Sequence, residues 1–240
     1  MPSPPDPLSG PARPDVPRGD SAGGEKAPPT PPRDRSAGER RLQQADDLAS
    51  GLQPDSAVRP YRELLELEPE HVEGRLHLAR LLDRLEEAAD AVEVLSDGLR
   101  RSPDQTEFLV LRGSILGRLQ RYREAETDLR RVLRLHPSHA PGQFELGLLL
   151  WRRGVVQEAA ASFHRALEFQ PDNAKSYYYL ADCLNQLGDL AGARAALERA
   201  LQVTQDDAKV YQLMGRVLDR LNLPEEAREM YRRNRELARL

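Results

Sequence analysis

The sequence predicts an all-α solenoid of antiparallel helix pairs behind a disordered N-terminal tail, and three observations lead to it. Pro69, Pro103, Pro137 and Pro171 lie 34 residues apart. A column of alanines, Ala57, Ala91, Ala125, Ala159, Ala193 and Ala227, repeats at the same interval without a break. Composition changes abruptly near residue 38: residues 1–37 hold 11 of the 19 prolines, and the rest of the chain is far poorer in them. A fixed period of this length is the signature of stacked supersecondary units that share one core.

The tail comes first. Its prolines, glycines and scattered charges cannot bury enough apolar surface to offset ordering entropy, so residues 1–37 are expected to be a disordered Pro-rich segment. Pro28-Pro29-Thr30-Pro31-Pro32-Arg33 has the spacing of a polyproline II ligand, a pattern that proline-rich tails also produce by chance. The array is expected over 38–240, in frames 38–71, 72–105, 106–139, 140–173, 174–207 and 208–240.

Each frame reads as two helices. In the fourth, Phe144, Leu146, Gly147, Leu149 and Leu150 form one apolar stripe, and Ala159, Phe163, Ala166, Leu167 and Phe169 the next. Gly154, Gly188 and Asn222 share a position between the helices that suits the left-handed backbone, and Pro224 suits a first helical turn. The 34-spaced prolines end each second helix, with Glu70, Asp104, Ser138, Asp172 and Asp206 as N-cap candidates for the next unit. In the first frame, Pro60 falls inside the expected second helix and should kink or delay it. Small residues recur at the eighth position of every frame (Ala45, Ala79, Gly113, Gly147, Ala181, Gly215), where paired helices must approach closely. In the last frame Asn234 and Arg235 replace apolar residues, as on the polar outer face of a terminal unit.

Tyr177, Leu180, Ala181, Leu184, Ala193, Leu197 and Ala200 of the fifth frame, repeated with variation in the others, resemble the tetratricopeptide repeat. That resemblance implies a right-handed superhelix whose first helices line a concave, partner-binding side. Some family members grip a chaperone tail with lysine at the fifth position of a frame. No frame here has a lysine there, so a clamp of that type is not expected.

Composition narrows the function. A net charge of −4 and a pI near 5.8 argue against nucleic acid as a partner. No apolar run is long enough to serve as a signal core or membrane span, and Cys183 is the only cysteine, so a cytoplasmic location is expected. Phosphate-binding glycine loops, zinc-protease motifs and nucleophile elbows are missing from the sequence. The reading is therefore a non-enzyme with no cofactor and no metal. Cys183, in a column otherwise filled by Leu81, Ile115, Leu149 and Val217, reads as a buried apolar substitute. His136 and His139 read as a solvated loop pair.

Binding residues are sought on the face of each first helix turned from its core. In the fourth frame that face is Pro141, Phe144, Leu148 and Trp151, flanked by Ser114 and Gly117, whose small side chains would leave a hollow, and by Tyr178, Asp182 and Asn185 as a polar rim. A second column, Arg84, Arg118, Arg152 and Arg220, could present a basic ladder to an acidic peptide, or could simply complement helix C-termini. The favoured role is a scaffold or adaptor holding a protein or peptide partner in the groove. The alternatives are a regulatory or substrate-recruiting subunit of a separate enzyme, such as a glycosyltransferase or kinase, and a self-assembling array. Oligomeric state is left open, a monomer being marginally favoured.

Overall fold

The computed structural model describes residues 37–51, 53–204 and 207–239. The tail with its proline motif, apart from Ala37, and Asp206 lie outside these. The described residues form one compact unit of twelve α-helices and a single 3-10 turn, with no strand among them.

The helices follow one another in pairs: α1 (Ala37–Ala49) and α2 (Val58–Leu67), α3 (Val72–Arg84) and α4 (Ala88–Arg101), α5 (Thr106–Arg118) and α6 (Tyr122–Leu135), α7 (Ala140–Arg152) and α8 (Val156–Phe169), α9 (Ala174–Leu187) and α10 (Leu190–Val203), α11 (Ala208–Arg220) and α12 (Pro224–Leu237). In the three pairs with glycine at the eighth position, that residue faces a large side chain of the second helix. A β-carbon added at Gly147 would lie 2.7 Å from the Phe163 ring, and one at Gly215 would lie 2.5 Å from that of Tyr231. The alanine column is fully buried, from Ala57 at 0% to Ala227 at 1% exposure, so nothing larger fits between the paired helices. Pro60 acts as expected. A 3-10 turn over Pro54–Ala57 precedes α2, and Pro60 becomes its third residue, where the missing N–H would have had no helical partner.

Two local readings need correction. The side chains that cap first helices stand one residue beyond those expected: His71, His139, Asn173 and Asp207 accept hydrogen bonds from the following helical N–H groups. Glu70, Asp104, Ser138 and Asp172 sit in the preceding turn instead, exposed, because the chain needs a full tight turn after each second helix before the next can start. Phe169, assigned to the core of α8, is 50% exposed. The left-handed position between helices is real and recurs more widely than glycine marks it: Gly154, Gly188 and Asn222 have φ of 75°, 86° and 60°, and so do Glu86 at 66° and Gln120 at 60°.

Successive first helices touch one another, α3 with α5, α5 with α7 and α7 with α9. Each second helix instead packs on the first helix of the following pair. The first helices thus crowd along one side of the array and the second helices spread along the other.

Candidate functional site

Crowding of the first helices decides what happens to the expected groove. Phe144 and Trp151 on α7 are partly buried, and both rings pack on Tyr179 of α9, at centroid distances of 6.1 Å and 5.2 Å. Tyr179 also stacks on Phe163 of α8 at 5.5 Å and meets Tyr178 edge-on at 5.2 Å. Aromatic pairs at these separations are each favourable by about 0.5–1.5 kcal/mol beyond their burial, so the cluster holds its rings in fixed orientations. Tyr179 organises the cluster and was missed in the sequence, where only its neighbours Tyr177 and Tyr178 fell on template positions. The run of three tyrosines was the available signal.

Trp151 is anchored at its polar edge as well. Its indole N–H donates to the Asp182 carboxylate at 2.8 Å, and the Gln186 amide donates to the same oxygen at 2.8 Å. Tyr178 keeps a partly exposed ring whose phenol is pushed up by burial and by the Asp182 charge. Leu148, by contrast, is only 8% exposed and belongs to the core, and Gly117 is buried. The expectation that Leu148 faces a partner across a hollow above Gly117 is therefore corrected. A helix with neighbours on both sides buries a wider arc than a single core-facing stripe, and Leu148 falls within it. Ser114 is likewise engaged, as a hydrogen-bond partner of Glu145.

Glu145 is a further feature the sequence did not single out. Burial raises its carboxyl, while the Ser114 hydrogen bond and the Arg152, Arg118 and Lys175 charges act in the opposite sense. Its Oε2 is buried without a hydrogen-bond partner. Such an unmet acceptor is uncommon in a native fold.

The arginine column is drawn into the array. Arg84 donates to the Ala49 carbonyl at 3.1 Å, Arg118 pairs with Asp83, and Arg220 bonds both the carbonyl and, at 2.5 Å, the side-chain oxygen of Asn185. Each guanidinium reaches back 35 residues to the end of the previous first helix. Arg152 follows the same stagger: a β-carbon on Gly117 would stand 3.6 Å from its Nη1. Three of these cations lie at carbonyls or a carboxylate beside a helix C-terminus, the arrangement favoured by helix electrostatics. In the one frame that carries Gln186 instead, Trp151 stands 35 residues back, in the last turn of α7, and its indole bonds Asp182.

Groups able to do chemistry are few. Cys183 is fully buried, and burial pushes its thiol up to about 12, the opposite of an activated nucleophile. His139 is a helix cap, accepting from Gly142 N–H at 2.9 Å. Among the described residues no cluster of three or more His, Cys, Asp or Glu side chains could hold a metal ion, and no helix is long and apolar enough to cross a membrane.

The architecture is that of a helical-repeat protein, a stack of hairpins with one continuous core. Tetratricopeptide repeat models match residues 48–115 and 150–217, with further matches over 110–174 and 208–233, and the chain belongs to this family. Among solved structures it is similar to PilW, a type IV pilus biogenesis factor, at 21% identity and TM-score 0.73, covering 81% of this chain and 90% of that one. PilF of Pseudomonas aeruginosa gives 20% identity and TM-score 0.71, covering 80% and 88%. YrrB, described as a repeat protein of this family with an unusual peptide-binding site, gives 18% identity and TM-score 0.59, covering 74% and 91%. A comparison with curated protein sequences gave no match.

Proposed function

We propose that this chain is a non-catalytic scaffold that holds a segment of a partner protein against its first-helix side, across α7 and α9. One observation carries the reading: the partly exposed Trp151 and Tyr178 rings are held rigidly around Tyr179, with the Trp151 indole tied to Asp182. Preorganised aromatic side chains give up little conformational freedom on binding and are frequent anchors at interfaces. Asp182 and Asn185 complete the polar margin. The peptide-binding site named for YrrB supports the reading by analogy of fold. A cytosolic setting belongs to the same proposal, since the lone thiol leaves no intrachain disulfide to form.

The test is affinity capture from native extract on immobilised full-length chain, comparing wild type with a Trp151→Ala, Tyr178→Ala double variant whose helicity is checked by circular dichroism. A defined set of proteins retained by wild type and lost from the folded variant is the expected outcome. Identical sets on both would sink the proposal.

A further inference from the structure

The opposite side of the array carries a second surface. Because the second helices spread apart, clefts open between them, of about 650 Å³ between α2 and α4, 750 Å³ between α6 and α8, and 360 Å³ between α8 and α10. Their chemistry differs. The α2/α4 cleft neutralises its own charges: Asp97 binds Arg75 at 2.9 Å, Arg100 at 3.0 Å and Arg101 at 3.6 Å, and Arg62 faces Asp90 at 3.8 Å. The α8/α10 cleft is small and lined mainly by aliphatic and alanine side chains, with Glu168 facing His164 at 3.2 Å.

The α6/α8 cleft is unlike either. Leu133, Leu146 and Pro137 line it together with Phe169, which leaves half its surface in solvent. Arg134 and Arg165 also line it, both exposed, and neither makes an ion pair among the described residues. The nearby Arg130 is already held by Glu126 at 2.7 Å, and Glu168, the one acid in the lining, faces His164. Gln143 lines the same cleft at 5% exposure with its side-chain oxygen unpartnered, so the cleft wall contains an unmet acceptor.

We propose that the cleft between α6 and α8 docks an extended acidic peptide of a partner protein. One apolar side chain would cover Phe169 and the Leu133–Leu146 wall, carboxylates would meet the bidentate forks of Arg134 and Arg165, and a backbone N–H would reach the Gln143 oxygen after a small side-chain rotation. Charge complementarity selects this occupant. Two free guanidiniums over an apolar wall suit a peptide that alternates carboxylates with aliphatic groups, whereas a nucleic acid backbone needs a longer basic track and has no use for the wall. The surface lies apart from the first-helix site, so the two proposals stand or fall separately.

The probe is a short fluorescein-labelled peptide of alternating glutamate and valine, with a lysine–valine peptide as its counterpart, followed by anisotropy on the full chain. Wild type should bind the acidic peptide saturably and more weakly as salt rises. Arg134→Glu with Arg165→Glu should weaken binding about ten-fold or more and let the lysine peptide bind instead, a gain that misfolding cannot mimic. Phe169→Ser should weaken it too, and Trp151→Ala should leave it unchanged. The proposal is overturned by the absence of saturable binding, by equal affinity of wild type and the charge-reversed chain, or by loss on Trp151→Ala. Displacement of the peptide by oligothymidylate as readily as by unlabelled peptide would also overturn it, because the surface would then be a general polyanion site. So would displacement by rising concentrations of the chain itself, which would make the occupant a second copy.

Discussion

Asp182→Ala tests the anchoring of the first-helix site directly, because Trp151 is the only tryptophan and reports on this position alone. The substitution removes the acceptor of the indole hydrogen bond, 2.8 Å long, together with that of Gln186. A hydrogen bond to an ionised group contributes about 1.5–3 kcal/mol when shielded. Asp182 and Trp151 are both partly exposed, so water replaces part of what is lost, and about 1 kcal/mol is expected. In a stack where each unit contacts only its neighbours, that loss falls mainly on α7 and α9 rather than on the whole chain. The assay is tryptophan emission with acrylamide quenching, alongside far-ultraviolet circular dichroism. Emission should shift to the red and quenching should rise while helicity stays close to wild type. Asp182→Asn, which keeps an acceptor oxygen but not the charge, should fall between. If both variants match wild type in emission maximum and quenching, the hydrogen bond does not hold the indole in solution, and the rigid aromatic anchor loses its basis.

Three further outcomes rest on the backbone and the core. Gln120→Gly should stabilise by about 0.5–1 kcal/mol, because a left-handed residue with a β-carbon is strained there, and Gly154→Gln should destabilise by a similar amount, nothing lying within 4 Å of its missing side chain; thermal melts of the pair check this. His139 caps α7 only through an unprotonated Nδ1, and burial together with the His136 charge lowers its pKa from 6.5. Its contribution is fully present above 6.5 and is lost as pH falls through the lowered folded value, so His139→Asn should flatten the pH dependence of the melting temperature on the acidic side. Ala159→Leu should destabilise by about 1–3 kcal/mol in urea unfolding, since Ala159 is completely buried between α7 and α8.

The fold was legible because close helix pairing leaves little choice at two positions. Gly147 must be small where the Phe163 ring crosses it, and Ala159 is completely buried, so the period shows in the sequence even where other residues drift. What was less legible depended on neighbours. A projection at about 100 degrees per residue treats each helix as having one buried side, which placed Leu148 in the open. Contact with α5 and α9 encloses it. The same projection found the arginine column but could not show that Arg84 and Arg220 reach 35 residues back. Capping was misplaced by one residue because Asp104 and Asp172 are good turn formers as well as good caps, and local preference does not choose between the two.

The contrast between the two sides begins with their geometry. Where first helices crowd together, side chains of one hairpin reach the next, and the available polar groups close on each other: Arg118 on Asp83, Trp151 and Gln186 on Asp182, Arg220 on Asn185. Binding there must work through what the crowding leaves uncovered, the edges of fixed rings. Where second helices spread, the cleft between α6 and α8 leaves Arg134 and Arg165 unpaired among the described residues and Phe169 half in water. Side chains do close across other such gaps, since Arg62 on α2 faces Asp90 on α4 at 3.8 Å and Arg194 on α10 pairs with Glu226 on α12 at 3.2 Å. The decisive factor in the α6/α8 cleft is therefore the local shortage of acids within reach, and a partner that supplies carboxylates would meet a surface already charged to receive them.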